Sequence, residues 1–420
     1  MTVFNRKQYV ERLLGARGNG LVKIVSGMRR CGKSFLLFKL FRDKLLEEGV
    51  EADHIIGLSL DDIENEPFLD PMALLRHIKD NVHSDGKVDY IILDEIQLVP
   101  NFVKLLLSLM HIPDVDVYVS GSNSRFLSSD VVTEFRGRGE DIRVRPLSLA
   151  EYIEGTGEDY DTAVKRYFLY GGLPQVALMD DAQQRENFLI QLYETTYLRD
   201  VIDRNGLRNA AGMRQLIDVL SSGIGSNTNP KKIADTFFSV SKTKLSDNTI
   251  RQYIDYLQDA FLIEEAQRYD IKGRRYIGAD NKYYFSDPGL RNAILKFRQI
   301  EDTHIMENVI YNFLRSKGFL VDVGMVEVWT TDQEGKNKRV RLEVDFVVNR
   351  GSQRYYIQSA YALPSQEKER QEHRPLRQIP DSFRKIVIVY GDYAPRQNDA
   401  GIVTIGLKNF LCGDSLLLDM

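Results

Sequence analysis

Short apolar runs alternate with amphipathic stretches along the first 150 residues, the pattern of a parallel sheet connected by helices. Leu21–Ser26 reads as a buried strand and Phe35–Glu48 as an amphipathic helix stopped by Gly49. Ile55–Leu60, Tyr90–Leu93, Asp116–Ser120 and Asp141–Arg145 read as further strands. Tyr90-Ile91-Ile92-Leu93 has no polar alternation, which predicts a central strand covered on both faces.

Farther along, Asn229–Val240 reads as a helix with Pro230 at its start and Ile233, Ala234, Phe237 and Phe238 as its apolar positions. Thr249–Gln258 is a second helix, capped by Ser246-Asp247-Asn248, with Ile250, Tyr253, Ile254 and Leu257 on one stripe. A hairpin is predicted from Ile263 to Phe285, with Lys272-Gly273-Arg274-Arg275 at its tip. Beyond Phe297 the pattern changes. A helix, Thr303–Lys317, precedes strands at Phe319–Val323, Val326–Thr330, Val340–Val348, Tyr355–Ala360 and Lys385–Tyr390.

Composition narrows the classes without choosing one. The 420 residues are 43% hydrophobic and 28% charged, in the range of globular domains, and length allows two to four of them. Lys+Arg number 56 against 60 Asp+Glu, so overall charge gives no drive toward nucleic acid and leaves only local basic patches. The sequence has no apolar run long enough for a membrane span, and its first residues lack the apolar core of a signal peptide. Two cysteines, Cys31 and Cys412, make no disulfide framework. These features together predict a cytoplasmic protein with no membrane partner.

The chemistry begins where the first strand ends. Gly27-Met28-Arg29-Arg30-Cys31-Gly32-Lys33-Ser34 is a G-x-x-x-x-G-K-S loop between a strand and a helix, the context such a loop needs. Gly27 and Gly32 let backbone N–H groups turn inward around phosphates. The following helix adds the positive end of its dipole. Lys33 is the cation for the β- and γ-phosphates of ATP, and Ser34 offers its hydroxyl to Mg²⁺. Arg30, Cys31 and Phe35 complete the candidate nucleotide-binding set. The third strand ends in Asp94-Glu95. Asp94 is the candidate Mg²⁺ ligand and Glu95 the candidate base for the attacking water. After the fourth strand, Asn123 is the candidate γ-phosphate sensor, with Ser122 and Ser124 as rivals. Arg136 and Arg138 are candidates for an arginine that reaches ATP in a neighbouring subunit.

GMRRCGKS, the strand ending LDEIQ, SGSNSRFL, FRGRGEDIRVRPLSLAEY and YGGLP together resemble the bacterial and archaeal AAA-type ATPases that carry a C-terminal DUF4143 region. That family is similar to AAA+ and STAND-like ATPases. The resemblance implies a helical lid from Glu151 to about Gly225, an adenine contact at Pro174, and homo-oligomers in which Arg138 is the better candidate finger.

The two middle helices and the basic hairpin form the pattern of a winged helix, a module that places its second helix in a DNA groove. Lys242, Lys244, Arg251, Lys272, Arg274 and Arg275 are its candidate phosphate contacts. In the last third, Glu307, Asp345 and Gln358 fall where a PD-(D/E)xK nuclease has its metal-binding positions. The lysine position is Ala360, which puts cleavage in doubt; Lys368 is a substitute offered by the next helix. The expected fold is therefore α/β: a P-loop core over 1–150, a helical lid over 151–225, a winged helix over 226–297 and a nuclease-like domain over 298–420. The expected function is an oligomeric ATPase acting on or with DNA. The alternative is a nucleotide-controlled switch or scaffold that recruits protein partners.

Overall fold

The computed structural model describes residues 3–122, 135, 137–241, 245–278, 280–331 and 337–413. Asn123, Ser124, Arg136, Lys242 and Lys244 lie outside them. Contacts group the chain into two compact units, the first comprising 1–147 with 173–175 and 259–261, the second comprising the rest.

The first unit is a five-stranded parallel sheet. Its strands are β1 (Val22–Ser26), β2 (Ile55–Ser59), β3 (Asp89–Asp94), β4 (Val115–Gly121) and β5 (Gly139–Arg143). They lie in the order β2-β3-β4-β1-β5. Every residue of β1 and β3 is buried, which their unbroken apolar character requires. Ile91, Leu93, Val117 and Val119 pack with Leu74 and Ile78 of the helix Pro71–Asn81 and with Leu105, Leu106 and Leu109 of the helix Phe102–Leu109. Pro71 starts its helix with the fixed φ of a first-turn proline, and Asp70 caps it by accepting the Ala73 N–H at 2.9 Å. Because β4 intervenes between β1 and β3, the loop after β1 and the acids ending β3 stand on the same C-terminal edge, one strand apart.

The second unit opens with a capping box at Ser148 and Glu151, which starts the helix Leu149–Thr156. Helices follow at Tyr160–Tyr170, Ala182–Leu192, Arg199–Arg204 and Ala210–Ser222. Helices Pro230–Ser241 and Asp247–Asp259 then lead into β6 (Ile263–Ala266), β7 (Arg268–Asp270), β8 (Arg275–Tyr276) and β9 (Lys282–Phe285). The predicted continuous hairpin is divided. β6 pairs with β9, and Thr228 bridges Asn281, but β7 pairs in parallel with β10 (Leu320–Thr331). The outer part of the hairpin thus covers an edge of a second sheet, which would otherwise be open for pairing.

That sheet has eight strands: β7, β8 and β10, with β11 (Asn337–Arg350), β12 (Gln353–Ala360), β13 (Arg384–Val389), β14 (Arg396–Gln397) and β15 (Ile402–Gly406). Their order is β14-β15-β13-β12-β11-β10-β7-β8. The helices Asp302–Ser316 and Gln366–Arg377 pack on it. The strands predicted at Phe319–Val323 and Val326–Thr330 are one strand, β10. Its register against β11 shifts between Asp322 and Gly324, and the strand continues. A Cβ on Gly324 would stand 2.8 Å from Val347 Cγ2, so glycine here serves close packing rather than a chain break.

Candidate functional site

β1 delivers the chain into the loop with Ser26 held: its hydroxyl donates to Asp141 Oδ1 of β5 at 2.6 Å. Burial raises the Asp141 pKa. Gly27 has φ +147°, and a Cβ there would lie 2.2 Å from the Val144 carbonyl oxygen, so only glycine fits the bend. Cys31 is buried and its thiol donates to the same carbonyl at 3.5 Å; it packs the back of the loop. Arg30 and Gly32 take positive φ angles of 61° and 97°, which curl the loop.

Lys33 is buried, and its ammonium donates to the carbonyls of Gly27 and Met28, each at 3.0 Å. It therefore lies within the curve of the loop. Ser34 and Phe35 are exposed at the start of the helical segment that runs on to Glu47. Pro174 belongs to this unit, and its Cγ is 3.7 Å from where a Gly32 Cβ would be. Arg30 donates to Gln175 Oε1 at 3.0 Å. A glycine cradle with a lysine inside it and a serine at its helical end is a donor set that fits a triphosphate with a divalent cation.

The acids opposite are fixed by serines. Asp94 is buried, and the Ser120 hydroxyl donates to its Oδ1. Glu95 follows with φ +52°, a left-handed turn that sends its side chain off the strand direction. Its backbone N–H donates to Ser120 Oγ at 3.3 Å. Its carboxylate accepts from Gln97 Nε2 and, at 3.3 Å, from Ser122 Oγ. Sequence reasoning passed over Ser120 and Gln97. Their signal was position: each is a polar residue beside the strand ends that hold the chemistry. Arg138 is exposed, and its backbone carbonyl accepts the Val22 N–H at 2.9 Å.

The second unit brings Glu307 and Asp345 into one buried cluster. Lys282 of β9 enters it, with Nζ 3.0 Å from Glu307 and 2.7 Å from Glu343. Tyr284 donates to Glu307 at 2.6 Å, and Asp345 accepts the Ser359 N–H at 2.7 Å. Gln358 stands on the neighbouring strand, and its buried Oε1 has no hydrogen-bond partner. Burial, followed by Glu307, raises the Asp345 pKa well above the usual carboxylate range. Burial alone lowers the Lys282 pKa, but Glu307, Asp345 and Glu343 outweigh it and the net shift is upward. Lys368 takes no part in what is described of this cluster; it pairs with Glu372 at 2.6 Å. The lysine among these carboxylates is Lys282, which no spacing rule pointed to.

Comparison with known proteins agrees with the geometry of the first unit. Residues 19–153 match the family described as AAA domain. The N-terminal region is accordingly an AAA-type P-loop domain. Residues 161–301 match DUF8612, a domain of unknown function, where the resemblance had implied a DUF4143 region for the C-terminal part. An uncharacterised protein of Haemophilus influenzae is 28% identical over 414 residues, covering 97% of this chain and 98% of its own length. An uncharacterised protein of Methanocaldococcus jannaschii is 27% identical over 366 residues, covering 83% of this chain and 77% of its own. Among solved structures, a Walker-type ATPase of Pyrococcus abyssi superposes with a TM-score of 0.51 at 15% identity, covering 70% of this chain and 96% of that one, a likeness of fold. No helix among the described residues is long and apolar enough to cross a membrane.

Proposed function

We propose that this chain binds ATP with Mg²⁺ and hydrolyses it between the loop Gly27–Ser34 and the acid pair Asp94–Glu95. The observation that carries the reading is the Lys33 ammonium, held at 3.0 Å by two loop carbonyls inside a glycine cradle where no Cβ fits at Gly27. Backbone N–H groups of the loop, with Lys33, bind the β- and γ-phosphates. Arg30, Cys31 and Phe35 shape the loop and its exit, and Pro174 closes against Gly32. Mg²⁺, held by Ser34 and Asp94, supplies positive charge to the phosphate oxygens. Glu95, steadied by Gln97 and Ser122, orients the attacking water and takes its proton. Asn123 senses the γ-phosphate in this reading.

Phosphate release from full-length chain tests it. Lys33→Ala should abolish turnover, and Glu95→Gln should lower kcat by about 10²–10⁴-fold while ATP still binds. Unchanged turnover in Glu95→Gln would remove the base assignment.

We further infer that the chain assembles with copies of itself and works on or beside DNA. Exposed Arg251, Lys272, Arg274 and Arg275, on a helix followed by a basic hairpin, support DNA contact. In this reading the two middle helices with β6 and β9 act as a winged helix. The exposed Arg138 serves a neighbour's ATP. DNA-stimulated turnover that collapses between low and physiological salt is the expected signature; indifference to DNA at low salt would leave the switch or scaffold reading instead. The C-terminal sheet with Glu307, Asp345 and Gln358 serves as a nuclease-like binding domain. Lys282 supplies a cation where Ala360 does not, but its ion pairs with Glu307 and Glu343 compete with a metal ion for these carboxylates, which favours binding over cutting; absence of cleavage with Mg²⁺ or Mn²⁺ is the expected result.

A further inference from the structure

At the opposite edge of the first sheet, two histidines converge on one aspartate. β2 and β3 run parallel with Ile55 opposite Tyr90, so the residues just before that pair, His54 and Asp89, stand side by side at the N-terminal ends of the strands. His83 arrives from the turn after the helix Pro71–Asn81. His54 Nδ1 and His83 Nδ1 each lie 2.9 Å from the same oxygen, Asp89 Oδ1. The two rings face each other with centroids 4.2 Å apart. Their outer nitrogens also meet carboxylates: His54 Nε2 is 3.4 Å from Asp85 and His83 Nε2 is 3.9 Å from Asp53. His54 is 2% exposed, and despite its approach to Asp89 its Nδ1 makes no hydrogen bond.

A neutral imidazole has one N–H and one lone pair. With a carboxylate at both nitrogens, a neutral His54 must turn one lone pair toward a negative oxygen, while His83 Nδ1 shares the same Asp89 oxygen. Protonating both rings removes that clash but stacks two cations, one of them in a buried side chain. A single dication between the two Nδ1 atoms and Asp89 Oδ1 uses both lone pairs. It also leaves an N–H on the His54 Nε2 facing Asp85 at 3.4 Å, the outer carboxylate–histidine–metal arrangement that orients metal ligands. The surroundings suit added positive charge: Glu51, Asp53, Asp85 and Asp89 gather here with Lys87, which pairs with Glu51 at 2.6 Å. An open cavity lined by Asp53, His77, Asp80 and His83 borders the cluster on its His83 side.

We propose that His54, His83 and Asp89 form a binding site for a zinc-class dication, separate from the nucleotide loop and at the other end of the sheet. Two imidazole nitrogens and one carboxylate oxygen suit Zn²⁺ or Co²⁺ and disfavour Mg²⁺, which takes oxygen ligands. The site clamps the starts of β2 and β3 to the end of the helix Pro71–Asn81 that lies between them in sequence. Binding stabilises the folded chain according to the free ion concentration relative to Kd.

The test uses untagged full-length chain, stripped with chelator and titrated with Co²⁺. Visible d–d bands saturating at one equivalent, displaced by Zn²⁺ but not by excess Mg²⁺, are expected. His83→Ala, at a partly exposed position, should abolish the bands without unfolding the chain. Asp85→Asn should weaken binding by about 10–100-fold through the outer contact. Lys33→Ala should leave the bands unchanged. No bands in the unaltered chain, or bands that survive His83→Ala, would overturn the proposal. Bands lost in Lys33→Ala would move the ion to the nucleotide loop and overturn it equally.

Discussion

The hydroxyl of Ser120, at the end of β4, donates to the carboxylate of Asp94, at the end of β3, and the same oxygen accepts the Glu95 N–H at 3.3 Å. One side chain thus fixes the direction of the candidate metal ligand and anchors the backbone turn that aims the candidate base. Parallel pairing of β3 with β4 makes the contact, because it brings the two C-terminal ends together.

Ser120→Ala should therefore disturb hydrolysis more than binding. A hydrogen bond to a charged group contributes about 1.5–3 kcal/mol, so kcat should fall by about 10–100-fold. The affinity for ATP measured with Mg²⁺ omitted should stay within about twofold, because the loop amides and Lys33 are untouched. Equal losses in both would mean that Ser120 shapes the whole edge rather than the acid pair.

The loop, the acid pair and the run of central strands were legible because each is local: a strand, a glycine-bounded loop and a helix follow one another in sequence. What was not legible comes from pairing between distant segments. Lys282 reaches Glu307 and Glu343 only because β9 lies beside the helix Asp302–Ser316 and β11 carries Glu343 to the same place. The cation in this cluster comes from Lys282, far in sequence from Ala360, where a lysine was sought. The gap between the predicted strands Phe319–Val323 and Val326–Thr330 contains Gly324, which packing against Val347 demands within a single strand. His54 and Asp89 are 35 positions apart by their numbering and meet through strand register alone. β15 was unread, since Ile402–Gly406 is short, and its partners are the parallel strand β13, distant in sequence, and the two-residue antiparallel strand β14.

Lys282→Met should destabilise the second unit strongly. It removes the ammonium from a buried pair and leaves Glu307 and Glu343 facing each other, a loss of about 3–5 kcal/mol. Urea unfolding of the full chain measures it, and adding Glu307→Gln in the same chain should recover part of the loss. A single variant as stable as the parent would mean the carboxylates relax to solvent on their own.

Asp287 gives a pH test. It caps the helix Pro288–Ile294 and accepts N–H groups from Gly172 at 2.7 Å and Leu290 at 2.9 Å. Burial pushes its pKa up from 3.8 to about 6, against the lowering by those bonds. The folded state therefore holds the proton more tightly than the unfolded chain. The associated stability, about 3 kcal/mol, is fully present below about pH 4 and is lost as pH rises through about 6. Asp287→Asn keeps an acceptor oxygen and should flatten this fall. Parallel pH profiles of the urea midpoint for variant and parent would contradict the assignment.

The central claim is that a glycine cradle and Lys33 grip a triphosphate. Titration calorimetry of ATP with Mg²⁺ into Glu95→Gln chain, with and without Lys33→Ala, tests it most directly. Saturable binding at one ATP per chain, weakened at least about tenfold by Lys33→Ala, is the expected result. Absence of binding heat at saturating ATP, or equal affinity with and without the Lys33 ammonium, would contradict it.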